Sequence, residues 1–296
     1  MAKQFIHSPL YVQLAFRSSA GYPMGTLTTP DVPVPGVGGV VYSPYLMKNV
    51  VSFEGASPTR AVAVDLGGSK IRQQSDVGVE SYGSGTLVLS ERDDVFEAYI
   101  TDSAVDATTV SGWRDSGSNV NAVIAPAFFL IITTKADVID DTVSPPTVTK
   151  QYTHYIFPNC QITKANTGSA AQGGGTNPNP FSYNILPSIS YRALNGLPFS
   201  STAMSLDDDS DLSYVSQTPN PIMIATYVEG STPDGAFVMP YRPLTTQADT
   251  SDKILTQNGV ADTFTSVTVA TGAIATTAGV ANDIFVSVME TAYQAI

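Results

Sequence analysis

Only one stretch of this chain, Ser90 to Ile100, carries apolar residues at sustained helical spacing; elsewhere short Val-, Ile-, Thr- and aromatic-rich runs are separated by glycines, prolines and serines. Alternation with a period of two is what a strand requires, because successive side chains leave opposite faces of the pleat. Tyr11 to Phe16 shows it, with Val12, Leu14 and Phe16 on one side and Tyr11, Gln13 and Ala15 on the other, which predicts a half-buried strand. Further strands are predicted at Val40 to Tyr42, Val50 to Phe53, Ala61 to Val64, Thr86 to Leu89, Phe181 to Ile185, Ile222 to Val228, Ala236 to Met239, Thr263 to Ala270 and Ile284 to Met289. Val120 to Thr134 reads as a buried strand pair or one long strand, and Tyr152 to Phe157 as another strand. The fold class is therefore mainly β, a sandwich or barrel with one flanking helix.

The helix over Ser90 to Ile100 has Ser90 and Asp93 as a capping pair and Val95, Phe96, Tyr99 and Ile100 on one face. Its acidic first turn, Glu91, Asp93 and Asp94, suits the positive end of a helix dipole, so these charges need no catalytic role. Two segments are too rich in glycine and proline to hold regular structure. Gly21 to Gly39 contains Pro23, Pro30, Pro33 and Pro35 and reads as an extended arm. Asn166 to Pro180, with Gly173, Gly174 and Gly175 in a row and Asn177 following, reads as a long loop. Segments of this length serve a function or lie against a partner. The whole chain reads as a single β domain with this arm and loop, Val143 to Val148 with Pro145 and Pro146 as a break, and a sub-boundary near Lys150.

Composition narrows the function. The 296 residues carry 14 Lys+Arg against 26 Asp+Glu, a net charge of −12, which argues against a protein that grips nucleic acid. Met1 to Leu14 lacks the basic and then long apolar pattern of an export signal, and Ala122 to Ile132 is shorter than the roughly 20 residues that cross a bilayer. No membrane span is expected. One cysteine, Cys160, cannot form an intramolecular disulfide, so stability must come from packing or association, and the residue reads as a small buried apolar group.

Apparent catalytic motifs have plainer explanations. Val64 to Arg72, VDLGGSKIR, resembles the phosphate-binding turn of sugar kinases, but the second catalytic motif and long helices of those enzymes do not follow, and a Gly-Gly turn between strands accounts for it. Asp207, Asp208, Asp209 and Asp211 sit in LDDDSDL, which begins like a calcium loop; Leu212 and Thr218 then stand where an EF-hand needs glycine and glutamate. Carboxylates clustered without cations repel one another, so this loop should face water, a cation or a channel. The two histidines, His7 and His154, are too few and too isolated for a zinc site, and neither lies in a triad context. Tyr152, Tyr155, Phe157, Tyr183 and Tyr191 read as core aromatics before a stacking platform. No enzyme activity, cofactor or metal is expected.

The stretch Tyr152 to Ser201, YTHYIFPNCQITKANTGSAAQGGGTNPNPFSYNILPSISYRALNGLPFSS, resembles the central part of major tail tube proteins of tailed bacteriophages, where a strand ending in a Phe-Pro turn is followed by strand, loop and strand. It covers about a sixth of the chain. The resemblance implies a virion protein made in the host cytoplasm, forming hexameric rings that stack into a hollow conduit for DNA delivery. DNA would pass without specific binding. It also implies tape-measure, tail-terminator and baseplate partners, and a sheath if the tail is contractile. Asp207, Asp208, Asp209 and Asp211 then become candidate lumen-facing residues, and Asn166, Gly173, Gly174, Gly175 and Asn177 a candidate loop between subunits. A capsid decoration or tail-fibre protein is the alternative that the same composition allows.

Overall fold

The computed structural model describes residues 3–17, 22–24, 39–54, 62–63, 76–77, 83–90, 96, 104–106, 112–114, 128–164, 179–185, 214–249, 252–258, 260–277 and 279–291. The regular structure of these residues is nearly all antiparallel β.

The largest sheet runs in the order β1 (Lys3–Arg17), β11 (Phe128–Asp140), β12 (Thr147–Lys164), β13 (Asn179–Ile185), β8 (Ser84–Leu89) and β5 (Val50–Glu54). β2 (Pro23–Met24) and β4 (Tyr45–Met47) pair with β1, and β14 (Tyr214–Thr218) pairs with β12. β4 runs into β5 through Lys48 and Asn49, and β5 comes back beside β1, so the sheet curls into a barrel. Its interior is filled by Val12, Leu14, Phe16, Leu130, Ile132, Phe157, Ile162, Phe181 and Tyr183, with Cys160 among them. Phe96, in helical conformation, adds an edge-on contact to Phe181 at a ring separation of 4.8 Å. Ser90, the expected cap, is described in a bend with its hydroxyl donating to the Asn49 carbonyl at 3.1 Å, and residues 91–95 and 97–100 of the expected helix lie outside the described residues.

A second sheet, β18 (Val260–Asp262), β17 (Lys253–Gln257), β21 (Ile284–Glu290), β15 (Ile222–Val228) and β3 (Val40–Tyr42), packs on the barrel wall. Ala15, Phe129, Ile131 and Ile156 of the wall meet Ile222, Ile224, Ile254, Val286 and Val288 of that sheet. Its outer face carries a third core, in which Tyr227, Leu255, Phe285 and Met289 pack against Phe237 and Ile274. Those last two belong to a small sheet of β16 (Ala236–Val238), β20 (Ala273–Thr276) and β19 (Phe264–Thr268). Two short ribbons, β6 (Val62–Ala63) with β7 (Asp76–Val77) and β9 (Ala104–Asp106) with β10 (Gly112–Arg114), complete the described strands.

This layering explains a departure from the half-buried strand expected at Tyr11 to Phe16. Every residue of that run is buried, because its two faces meet two different cores. Val12, Leu14 and Phe16 enter the barrel, while Ala15 joins the middle core and Tyr11 and Gln13 hydrogen-bond to β15.

Phe157-Pro158 also behaves differently from the turn that the family pattern suggests. β12 continues to Lys164, with Leu130 opposite Phe157 and Phe128 opposite Cys160. Two residues of β12, Pro158 and Asn159, thus face the single Phe129. That bulge accommodates a proline, which has no N–H for the ladder. Lys150, near the expected sub-boundary, lies inside β12 opposite Asp137. Among the described residues no helix is long and apolar enough to cross a membrane.

Candidate self-association surface

β11 and β12 form one long hairpin whose root is barrel wall and whose far end leaves the body of the protein. Pairing runs from Phe128 opposite Cys160 to Asp140 opposite Thr147. Burial falls along it: residues 128–134 are buried, 137–140 are partly exposed and 141–150 are exposed. β1 accompanies the hairpin outward, with Ile6 opposite Ala136 and Lys3 opposite Ile139. The result is a three-stranded blade.

Both edges of the blade lack a strand partner among the described residues. On β12, β14 covers Tyr152 to Ile156 and stops, leaving residues 147–151, Thr-Val-Thr-Lys-Gln, at the edge. On β1, β4 covers Val12 to Leu14, leaving residues 3–9. An open, β-branched edge is a template for pairing with another chain. Val143 and Val148 on the outer hairpin are 48% and 61% exposed, an apolar surface that folding alone does not bury.

The tip is stiffened by its own turn chemistry. The Asp140 carboxylate accepts the Thr142 hydroxyl at 2.5 Å and the Thr142 backbone N–H at 3.0 Å. These bonds, the hydroxyl first, hold the Asp140 carboxyl below the usual carboxylate range. Prolines 145 and 146 follow, the first after a cis peptide.

At the root, His154 joins three strands. Its Nε2 lies 2.7 Å from Thr218 Oγ1 on β14 and its Nδ1 lies 3.0 Å from Thr133 Oγ1 on β11. The Thr218 hydroxyl donates to the carbonyl of Asn220, so it accepts from His154, which fixes the proton on Nε2. Nδ1 then accepts from Thr133. Burial pushes the His154 pKa down to about 3, so the ring is neutral and serves as a clasp. Beside this root lies an open groove of about 290 Å³ between Val138, Thr149, Gln151 and Gln217, where Gln151 Nε2 donates to Gln217 Oε1 at 3.2 Å.

The other polar centres close loops. The buried Lys253 ammonium donates to Thr245 Oγ1 at 2.5 Å, to the Thr246 carbonyl at 2.9 Å, and to the Asp249 carbonyl and the Asp252 carboxylate. Asn220 Nδ2 donates to Glu290 Oε2 at 2.9 Å. Burial, aided by the nearby charges of Asp252 and Asp249, raises the Glu290 pKa against that hydrogen bond. Among the described residues no three His, Cys, Asp or Glu side chains gather as a metal-holding group.

Of the residues singled out in the sequence, Asp207, Asp208, Asp209 and Asp211 lie outside the described residues, as do Asn166, Gly173, Gly174, Gly175, Asn177 and VDLGGSKIR. Cys160 is buried in the barrel, and burial pushes its thiol pKa up. Phe157 and Tyr183 are barrel core, and Tyr155 packs on Phe53 at a ring separation of 4.9 Å. The projecting hairpin does not declare itself in the sequence, where its two prolines read as a break. The signal that finds it is the turn-rich DDTVSPP lying between two alternating runs.

The chain matches no family model, no curated protein and no solved structure.

Proposed function

We propose that this protein is a structural subunit that polymerises through its projecting blade, and that the polymer is the tail tube of a tailed bacteriophage. The observation that carries the reading is the pair of edges, on opposite sides of one antiparallel blade, that no strand among the described residues covers. The β12 edge of one copy can receive the β1 edge of the next, a head-to-tail contact that closes into a ring when the rotation allows. Apart from its Phe-Pro turn, the Tyr152 to Ser201 pattern, with β12 and β13 among its strands, supports the tube together with the acidic composition. Six copies at −12 each carry −72, a charge that keeps a conduit from holding phosphates if enough of the carboxylates face inward. In this reading Asp207, Asp208, Asp209 and Asp211 face the lumen, and the arm and loop expected at residues 21–39 and 166–180, beyond the ends that β2 and β13 hold in this chain's own sheet, contact neighbouring subunits or rings. Tape-measure, terminator and baseplate proteins meet the ends of the tube.

Sedimentation of the purified chain over a concentration series tests the assembly. Wild type should pass from monomer to hexamer and larger species. Val148→Lys places a second cation beside Lys150 on the open edge, at a position already 61% exposed, and should remain a folded monomer. Assembly of that variant equal to wild type contradicts the edge assignment. A monomeric wild type at every concentration contradicts the polymer itself.

A further inference from the structure

We infer that Asn258, followed by Gly259, is a self-modification site that the fold holds shut and whose conversion frees the outer hairpin of the five-stranded sheet. Asn258 is in turn conformation between β17 and β18, which pair with Gln257 opposite Val260, and Gly259 follows it in the sequence. Asn258 is exposed and has a φ of 49°, the left-handed backbone that this kind of turn uses. An Asn-Gly pair is chemically labile because glycine has no side chain to shield its backbone nitrogen. That nitrogen attacks Cγ of the asparagine, the new N–C bond closes a succinimide, the Cγ–Nδ2 bond breaks and ammonia leaves. Solvent takes the glycine N–H proton and supplies one to the departing nitrogen. Water then opens the ring to aspartate or isoaspartate.

Here the asparagine amide is pinned at both ends. Nδ2 donates to Asp283 Oδ1 at 2.7 Å, and Oδ1 accepts the Ile284 N–H at 2.9 Å. The Asn258 N–H donates to the Ile284 carbonyl at 2.8 Å. Asp283 is itself fixed, accepting Gln257 Nε2 and the Val280 N–H, each at 2.7 Å. A side chain so held must release Asp283 before Cγ can turn toward an attacking nitrogen. Conversion then replaces the donor facing Asp283 by a carboxylate, turning a hydrogen bond into a like-charge contact. Among the described residues β18 pairs only with β17, so its loss opens the edge of the second sheet.

The test is peptide mapping by mass spectrometry of the full chain held at pH 8, native and unfolded in urea. The sequence contains one other Asn-Gly pair, Asn195-Gly196, as an internal reference. Conversion at Asn258 should be about tenfold or more slower in the native chain than in the unfolded one. Asp283→Ala should accelerate it at Asn258 while leaving the rate at Asn195 unchanged. Equal native and unfolded rates at Asn258, or no acceleration in Asp283→Ala, overturn the inference. If Asp283→Ala fails to fold, Asn258→Asp decides: its melting temperature should fall below wild type at pH 8, and by less at pH 4, where carboxylates begin to protonate. Equal melting temperatures at both values overturn the inference.

Discussion

Gln13 in the barrel wall holds Ile224 of the second sheet as a neighbouring strand would. Gln13 Oε1 accepts the Ile224 N–H at 3.1 Å, and Gln13 Nε2 donates to the Ile222 carbonyl at 3.0 Å. A residue of a parallel strand opposite Met223 makes the same two bonds through its backbone. β3 covers the same strand only from Thr226 to Val228, so a side chain completes what the edge strand leaves open.

Gln13→Ala should therefore lower the unfolding free energy by about 1–3 kcal/mol, the cost of leaving a buried donor unpaired. The Ile222 carbonyl keeps the Tyr11 hydroxyl at 2.7 Å, which places the loss mainly on Ile224. Urea unfolding measures it. A midpoint equal to wild type contradicts the pairing.

His154 makes stability depend on pH. Its folded pKa of about 3 lies below the usual 6.5, so the unfolded chain takes up the proton first. The stability it contributes is complete above pH 6.5 and drains as pH falls toward 3, by about 1.4 kcal/mol per pH unit. Between pH 6.5 and about 4.5, above most carboxylate titration, this loss should dominate. His154→Gln should flatten the decline in urea midpoint over that range; an unchanged slope contradicts it.

Thr256 is a site where less polarity should help. Its side chain is buried and its hydroxyl has no hydrogen-bond partner among the described residues. Thr256→Val keeps the shape and removes the orphan, and should raise stability by about 1 kcal/mol. Thermal unfolding should shift up by about 2–4 °C. A lower melting temperature would show that the hydroxyl is satisfied.

Gly85 faces the ring of Tyr183, whose hydroxyl donates to the Glu54 carbonyl at 2.6 Å. A Cβ at residue 85 would collide with that ring and with the same carbonyl. Gly85→Ala should cost roughly 1–3 kcal/mol through overpacking. A neutral result in urea unfolding contradicts the close approach of β5, β8 and β13.

Much of the β architecture was legible because apolar, β-branched runs declare themselves. Val40 to Tyr42 and Ile222 to Val228 coincide with β3 and β15, and Ile284 to Met289 differs from β21 by one residue. Burial on both faces of β1 was not legible, since Tyr11 and Gln13 look solvent-facing until a main chain more than 200 residues away satisfies them. β17 was hidden by Lys253, whose charge suggests surface, although four oxygen groups from the preceding turn surround it. The dipeptide Asn258-Gly259 carries the strongest short-range hairpin signal in the sequence, yet short β17 and β18 gave it little flanking pattern. The blade was missed for a related reason: prolines 145 and 146 end strands, and here they mark where the chain turns back.

Electron microscopy of negatively stained wild-type protein across a concentration range, beside Val148→Lys, tests the central claim most directly. Wild type should give six-fold rings and hollow tubes, and the variant none. Wild-type protein that stays monomeric, or that forms only trimers, would contradict it and favour a decoration or fibre protein instead.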